Sequence, residues 1–205
     1  MAGLHFSDNL QDTLLRPYIF IDNDVLKALQ NSPEFVTDLT TILNSRKLFL
    51  HPLTEFEFLR DTHLLEFKLV KERLLSNQLF KKIGSETNLK LLPKLTENAL
   101  LLSNIYTFKE YKGSSSYVDL ILGGLLMYLN EKGALITGNP RDFPRCVFDV
   151  LSVINMEESD GHVKPLCIVG FNKEKFDKCS SELKNLDLRE TIKMLEKINA
   201  PAKSR

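Results

Sequence analysis

Short apolar runs alternate with longer stretches of helical periodicity along most of this chain. The alternation predicts an α/β fold with a central, mostly parallel sheet. The last two runs are separated by the turn signal Asp160-Gly161, so we expect them to form an antiparallel hairpin at one edge of the sheet. The predicted strands cover residues 18–22, 47–51, 134–137, 147–154 and 166–171.

The middle of the chain, residues 62–112, has little strand character. Leu64, Phe67, Leu74 and Phe80 recur near the helical period, and a second helical pattern follows a break at residues 84–93. We therefore expect an inserted helical hairpin that packs on the sheet. The C-terminal region, residues 147–198, holds the edge hairpin and a further helical pattern, "LDLRETIKMLEKI".

Composition limits the kinds of site that the chain can carry. With 205 residues, 43% of them apolar, the chain suits one domain over residues 1–205. Lys and Arg total 27 and Asp and Glu total 27, so any site for a polyanion has to be local. The 3 cysteines lie far apart, which argues against a disulfide framework or a thiolate zinc site. No segment is typical of a signal peptide or a membrane span, and we expect a cytoplasmic protein.

Acidic side chains follow the predicted strands at the points where the strands end. Because the carboxyl ends of parallel strands share one edge of a sheet, we expect these acids to converge there. Crowded carboxylates repel one another unless a cation lies between them, and oxygen ligands without His or Cys favour Mg²⁺ or Mn²⁺ over zinc. The residues are Asp22 and Asp24 after the first strand, Glu55 and Glu57 after the second, Asp119 at the start of the helix that leads into the third, and Asn139 and Asp142 after it.

Each acid also has a purely structural interpretation. The patterns Thr54-x-x-Glu57 and Ser116-x-x-Asp119 match a helix capping box, in which the acid satisfies a backbone amide. Capping does not explain why all of the segments end at one edge, so jointly they favour a metal site. The remaining interpretations are an ordinary turn for Asp22 and a cap after Pro140 for Asp142.

Together these segments resemble the PIN-domain nucleases, the family that includes the VapC-type toxins. The matching features are "IFIDNDVL", "LTEFEFLRD", "YVDLILGG" and "ALITGNPRDF", which follow the order of the family over residues 18–143. The resemblance implies a three-layer fold around the sheet. Typical members are shorter, so the helical insertion and the C-terminal hairpin and helix are additions.

The resemblance also implies a set of metal ligands. Glu57 is preferred to Glu55 because it lies three residues after Thr54, as in the family pattern, and Glu55 stays an alternative. Many members carry Asp where this chain has Asn139, which leaves the number of metal ions open. The residues carried over are Asp22, Glu57 or Glu55, Asp119, and Asn139 or Asp142, of which Asp22, Glu57, Asp119 and Asp142 are the candidate catalytic residues.

The activity implied is hydrolysis of phosphodiester bonds in single-stranded RNA, in which a divalent ion activates water and stabilises charge on the phosphoryl oxygens. Arg141, Arg145 and Lys112 are candidate phosphate contacts, although they are equally compatible with exposed charges that bind nothing. Asn23 and Thr137 are further candidate substrate contacts. Relatives tend to be homodimers, and in a toxin–antitoxin system an antitoxin segment would occupy the groove between the inserted helices.

Two other function classes fit the same residues. "IFIDNDVL" also resembles the first motif of haloacid-dehalogenase-type phosphatases, in which Asp22 would be the nucleophile and Asp24 the acid and base. "ALITGN" resembles the second motif of that family, a strand that ends in Thr137. The phosphatase family also carries a lysine and an acidic pair on further parallel strands after Thr137. In this chain the gap from Asn139 to Val147 is too short for the helical crossover that joins parallel strands. The third interpretation is a PIN-like binding protein without turnover.

Overall fold

The protein is described here from a computed structural model. The structure describes residues 3–6, 10–43, 46–60, 62–111, 115–157 and 162–199. The strands in these ranges are β1 (Gly3–Phe6), β2 (Tyr18–Ile21), β3 (Leu48–Leu50), β4 (Phe80–Lys82), β5 (Gly133–Thr137), β6 (Phe148–Glu157) and β7 (Val163–Phe171). The helices are α1 (Leu10–Leu14), α2 (Asn23–Asn31), α3 (Glu34–Ile42), α4 (Pro52–Arg60), α5 (Leu65–Leu75), α6 (Ser85–Phe108), α7 (Tyr117–Leu129) and α8 (Lys173–Asn199).

The described strands form one mixed sheet in the order β1-β6-β7-β5-β2-β3-β4. Strands β5, β2, β3 and β4 are parallel, whereas β7, β6 and β1 continue the sheet in antiparallel pairs. The α/β class predicted from the alternation is confirmed. The expected parallel strands are present, four of the seven that are described, but the sheet as a whole is mixed because three antiparallel strands extend it.

Side-chain alternation along the strands separates two hydrophobic cores. In β2, Ile19 and Ile21 face one core and Phe20 faces the other, as expected for a strand covered on both sides. Helices α1 to α5 contribute to the first core, and helices α6 to α8 contribute to the second. The sheet is therefore the middle of three layers.

The predicted C-terminal hairpin is formed by β6 and β7, but it does not lie at the edge of the sheet. Strand β1, which the sequence analysis did not predict, pairs antiparallel with β6 beyond it, with Leu4 opposite Met156. A strand of four residues is too short to display a clear alternation, so its place depends on the partner strand. The turn signal Asp160-Gly161 lies outside the described residues.

The predicted helical hairpin at residues 62–112 is wrong in its packing. Strand β4 interrupts it and pairs parallel with β3, so that α5 and α6 lie on opposite faces of the sheet. Leu75 of α5 belongs to the first core, and Leu95 and Leu102 of α6 belong to the second. No groove between two inserted helices exists in this arrangement, and the expected antitoxin position is removed with it.

The last helix begins earlier than its sequence pattern indicated. Helix α8 follows β7 directly, and the side chain of Asn172 accepts the amide of Lys175 at 3.0 Å, which satisfies one of the free donors at the helix start. Phe176 and Leu183 of this helix pack against the second core. The C-terminal helix is therefore part of the outer layer from its first turn.

Candidate functional site

Asp22 follows the carboxyl end of β2 and caps the helix that comes next. Its backbone amide donates to the carbonyl of Ile136 on β5 at 3.0 Å, which holds the two strand ends side by side. Its Oδ1 accepts the amide of Asn23, and its Oδ2 accepts the hydroxyl of Thr137 at 2.8 Å. Thr137 ends β5 and is fully buried. Two neighbouring strand ends thus fix the position of this carboxylate.

Asp119 lies in the first turn of α7 and forms the capping box that its spacing indicated. The Ser116 side chain accepts the amide of Asp119 at 3.2 Å, and Asp119 Oδ2 accepts the amide of Ser116 at 2.6 Å. The structural interpretation of Asp119 is thus confirmed, whereas Asp22 caps a helix rather than an ordinary turn. Neither cap uses all of the acceptor sites of its carboxylate. The caps do not exclude a second role, because each carboxylate has two oxygens with two acceptor sites apiece.

The other predicted capping box does not form, because α4 begins at Pro52 rather than after Thr54. The ring of buried His51 takes the capping position, and its Nδ1 accepts the amide of Leu53 at 3.2 Å. Thr54 is fully buried, and its hydroxyl has no hydrogen-bond partner among the described residues. Glu57 is therefore not needed to cap this helix.

The structure separates the two glutamates of α4. Glu55 forms an ion pair with Lys82 on the edge strand β4. Glu57 is the more enclosed of the two and lies within 3.9 Å of Arg60, and its carboxylate also feels the charge of Asp119. Of the two alternatives left open by the sequence, Glu57 is the one that faces the other acids.

Asn139 and Asp142 lie together on the turn after β5. The Asn139 side-chain amide donates to Asp142 Oδ2 at 2.8 Å, and its backbone amide donates to the Thr137 hydroxyl at 3.0 Å. A single chain of hydrogen bonds therefore runs from Asp22 through Thr137 and Asn139 to Asp142. The hydroxyl of Ser115 donates to the backbone carbonyl of Asp142 at 3.2 Å, which ties the turn to the start of α7.

The four predicted acids form one electrostatic cluster, which we call the acid cluster and which also contains Asp24. Burial raises the pKa of each predicted acid, that of Asp22 to about 7 and that of Asp142 to about 6. The charge of Asp119 further raises the pKa of Asp22, Glu57 and Asp142, and the charge of Asp24 does so for all four. Because screened charges interact over about 10 Å, these mutual effects require proximity.

Asp24 is a member of the acid cluster that the sequence analysis did not include among the ligands. It lies in the first turn of α2, and its Cβ is 3.1 Å from where a side-chain carbon on Gly138 would lie. Glycine at 138 therefore lets the turn after β5 approach this aspartate closely. The Asp-x-Asp spacing was visible in the sequence, but only the position of Gly138 shows that the second acid faces the same site.

The donor set of the acid cluster suits a hard divalent ion. The side chains offer carboxylate and amide oxygens and no His or Cys, which is the set that Mg²⁺ and Mn²⁺ prefer. Two cations stand at the rim: Lys27 lies 3.8 Å from Asp24, and Arg60 lies beside Glu57. Among the described residues no three His, Cys, Asp or Glu side chains already stand at coordinating positions.

The predicted substrate contacts fall into different environments. Asn23 is buried at the start of α2, and its Oδ1 has no hydrogen-bond partner among the described residues. The hydroxyl of Thr137 is engaged by Asp22 and Asn139, which makes it a positioning group. Lys112 lies outside the described residues. Arg141 and Arg145 are exposed and line a cavity beside the acid cluster.

The strand arrangement bears on the phosphatase alternative. After β5 the chain continues into β6 and β7, of which β7 pairs antiparallel with β5 and β6 pairs antiparallel with β7. The further parallel strands that would carry a lysine and an acidic pair are therefore absent from the described part of the chain after Thr137.

Comparison with known proteins adds no identification. No family model, no curated protein and no solved structure matches this chain. None of the described helices has the length and apolar character needed to cross a membrane. The functional argument therefore depends on the geometry of the acid cluster itself.

Proposed function

We propose that this protein is a divalent-metal-dependent endoribonuclease of the PIN type. The single observation that carries the proposal is the convergence of five acids, from four separate segments of the chain, around the carboxyl ends of β2 and β5. Helix capping accounts for Asp22 and Asp119 individually, but it gives no reason for Glu57, Asp24 and Asp142 to approach them. A cation that offsets their repulsion supplies that reason.

Each residue has a defined part in this proposal. Asp22, Glu57, Asp119 and Asp142 would hold the ion, and the Asn139 amide oxygen would complete the set. Mg²⁺ or Mn²⁺ bound there would supply Lewis acidity towards the phosphodiester and lower the pKa of a bound water.

The surrounding residues position these groups. Thr137 orients the Asp22 carboxylate through its hydrogen bond, and Asn139 orients Asp142 in the same way. Lys27 and Arg60 at the rim add positive charge that attracts the polyanionic substrate.

The proposal is tested with a fluorescent single-stranded RNA and with p-nitrophenyl phosphate, each with Mg²⁺, with Mn²⁺ and with EDTA. Wild type should cut RNA only with metal, and Asp119→Asn should cut at least about 100-fold more slowly, because one stabilising group is removed. Asparagine keeps an oxygen for the capping bond, so the fold should persist. Asp149→Asn, which changes an acid at the opposite end of the sheet, is the matched control and should cut as wild type does.

The other outcomes identify the alternatives. Hydrolysis of p-nitrophenyl phosphate that survives Asp119→Asn but not Asp22→Asn would support the phosphatase and overturn the nuclease. RNA binding without cleavage under any metal condition would support the binding protein without turnover.

A further inference from the structure

A cavity of about 430 Å³ lies beside the acid cluster, on the far side of the turn after β5. Arg141 and Arg145 contribute to its lining from this turn, and Tyr111 contributes from the residues that follow α6. Asp142 lies on the same turn, and its carboxylate and the Arg141 guanidinium both act electrostatically on the Tyr111 phenol. The cavity and the acid cluster are therefore neighbours that meet at Asp142.

A β-bulge builds the apolar wall of this cavity. The register of β6 against β7 shifts between Val150 and Ser152, so Leu151 is an extra residue in the strand. Without Leu151, strand alternation would turn Val153 to the opposite face of the sheet from Val150. With the extra residue, both valines line the cavity, and Ser152 is buried on the other face. Bulges that re-aim side chains in this way are frequent next to active sites.

The lining combines an apolar wall with positive charge. Its described lining has two arginines, two prolines, a tyrosine, two valines and a cysteine, and none of these described residues is acidic. Guanidinium groups bind phosphate oxygens in a forked, bidentate geometry, and aromatic rings stack on bases of any sequence. The Tyr111 ring is supported by Tyr106, with ring centroids 5.5 Å apart. Cavities of about 300–1,000 Å³ are the usual size for small-molecule ligands.

We propose that this cavity binds one nucleotide of single-stranded RNA next to the phosphate held at the acid cluster. Arg141 and Arg145 contact the phosphate on the cavity side, and the base lies between Tyr111 and the wall formed by Val150 and Val153. This inference rests on the proposed nuclease function and adds to it the direction in which the strand leaves the metal site. The acid cluster would repel the RNA backbone without its ion, whereas this cavity attracts the backbone with or without one.

The test uses fluorescence anisotropy of a 3′-fluorescein-labelled RNA octamer with the full-length protein in EDTA. The double variant Arg141→Gln/Arg145→Gln should bind at least about 10-fold more weakly, and the slope of log K against log salt should become shallower by about 0.7, since the two arginines contact one phosphate and each neutralised phosphate on a single strand contributes about 0.7. Tyr111→Leu should weaken binding about 5-fold or more, because one stacked base is lost.

Two matched controls carry the same substitutions elsewhere. Arg73→Gln/Arg189→Gln removes two exposed cations, on α5 and α8, that do not line the cavity, and Tyr128→Leu removes an exposed tyrosine on α7; both should bind as wild type does. Thermal unfolding confirms that each variant is folded. A double arginine variant that keeps wild-type affinity and salt slope, or a wild type that does not bind the octamer, overturns the cavity proposal.

Because the binding assay contains no metal, it fails or succeeds independently of catalysis. Weaker binding by the arginine variants together with no metal-dependent cleavage by wild type would support the cavity as an RNA-binding site and overturn the nuclease proposal. Metal-dependent cleavage with unchanged KM in the arginine variants would support the nuclease proposal and overturn the cavity proposal.

Discussion

The two ends of β2 carry opposite balances of charge. At the carboxyl ends of β2 and β5, the acid cluster outnumbers its nearest cations. Around the amino ends of β2 and β3, a cavity of about 460 Å³ is lined by Arg16, Arg46, Lys47 and Lys81, and none of the described residues in its lining carries a carboxylate. A chain whose formal net charge is +0 is therefore locally polarised, and the composition alone conceals both charged regions.

Asp22 and Asp149 show what this difference does to the same type of side chain. Asp149 lies at the start of β6, at the same end of the sheet as the amino end of β5. Burial alone would raise its pKa, but hydrogen bonds from Lys175 and Asn172 bring its pKa below the ordinary value. Burial raises the pKa of Asp22 to about 7, because a single hydroxyl and a single amide cannot offset it and neighbouring acids add to it. Two differences therefore separate these acids: Asp22 is far more deeply buried and its described hydrogen bonds come from neutral donors, whereas Asp149 is partly exposed and paired with Lys175.

The largest expected effect concerns the two glutamates of α4. Glu57→Gln should slow metal-dependent RNA cleavage at least about 100-fold, because it removes a ligand of the acid cluster. Glu55→Gln, which loses only the ion pair with Lys82, should cut within about two-fold of wild type. Single-turnover cleavage with Mn²⁺ measures both. Equal losses in the two variants would contradict the placement of Glu57 as a ligand.

Divalent ions should stabilise the folded protein by binding at the acid cluster. At about 100 times its dissociation constant, Mn²⁺ should raise the free energy of unfolding by about 2.7 kcal/mol at pH 7.5. Asp22→Asn should lose most of this increment, and Asp149→Asn should keep it. Thermal unfolding with Mn²⁺ and with EDTA gives the comparison. An equal Mn²⁺ effect in both variants would mean that the ion binds elsewhere.

The stability of the metal-free protein should depend on pH through Asp22 with a definite sign. Its pKa in the folded state, about 7, lies above the unfolded value, so the folded state binds the extra proton and stability is lost as pH rises from about 4 to 7. Asp22→Asn removes this loss and should be more stable than wild type at pH 7.5 by on the order of 1–4 kcal/mol.

The measured quantity is the difference in free energy of unfolding between wild type and Asp22→Asn, because the titration of His51 changes stability with pH in the opposite direction. Burial lowers the pKa of His51 to about 4, so protonation of the unfolded chain removes stability as pH falls below its ordinary value. Urea unfolding of both proteins in EDTA from pH 4 to 8 isolates the contribution of Asp22. A difference that does not grow with pH would contradict the raised pKa.

The smallest effect is expected at the opposite end of the sheet. Because the pKa of Asp149 is lowered, the stability that it contributes is present above the unfolded pKa and is lost as pH falls through the folded one. Asp149→Asn should cost under about 1 kcal/mol at pH 7 and less at high salt, since the pair with Lys175 is partly exposed to solvent. Stabilisation by this change would remove the contrast with Asp22.

Local pattern was sufficient for much of the candidate site. Apolar runs located β2, β3, β5, β6 and β7, and the rule that ligands lie at the carboxyl ends of parallel strands indicated Asp22, Asp119 and Asp142 as neighbours. The Ser116 capping box formed as its spacing indicated, because a capping bond involves only residues within one helical turn. The metal ligands and the RNA substrate remain predictions for the experiments above.

What the sequence by itself determined are the features that short stretches of chain decide: strand periodicity, the cap of α7 and the acids that follow each strand. Only the tertiary structure decided that β4 carries α5 and α6 to opposite faces, that β1 covers β6, and that Glu57 and Asp24 rather than Glu55 face the other acids. The physical reason is that these outcomes depend on pairing and packing between residues far apart in the chain, whose energies no local pattern contains.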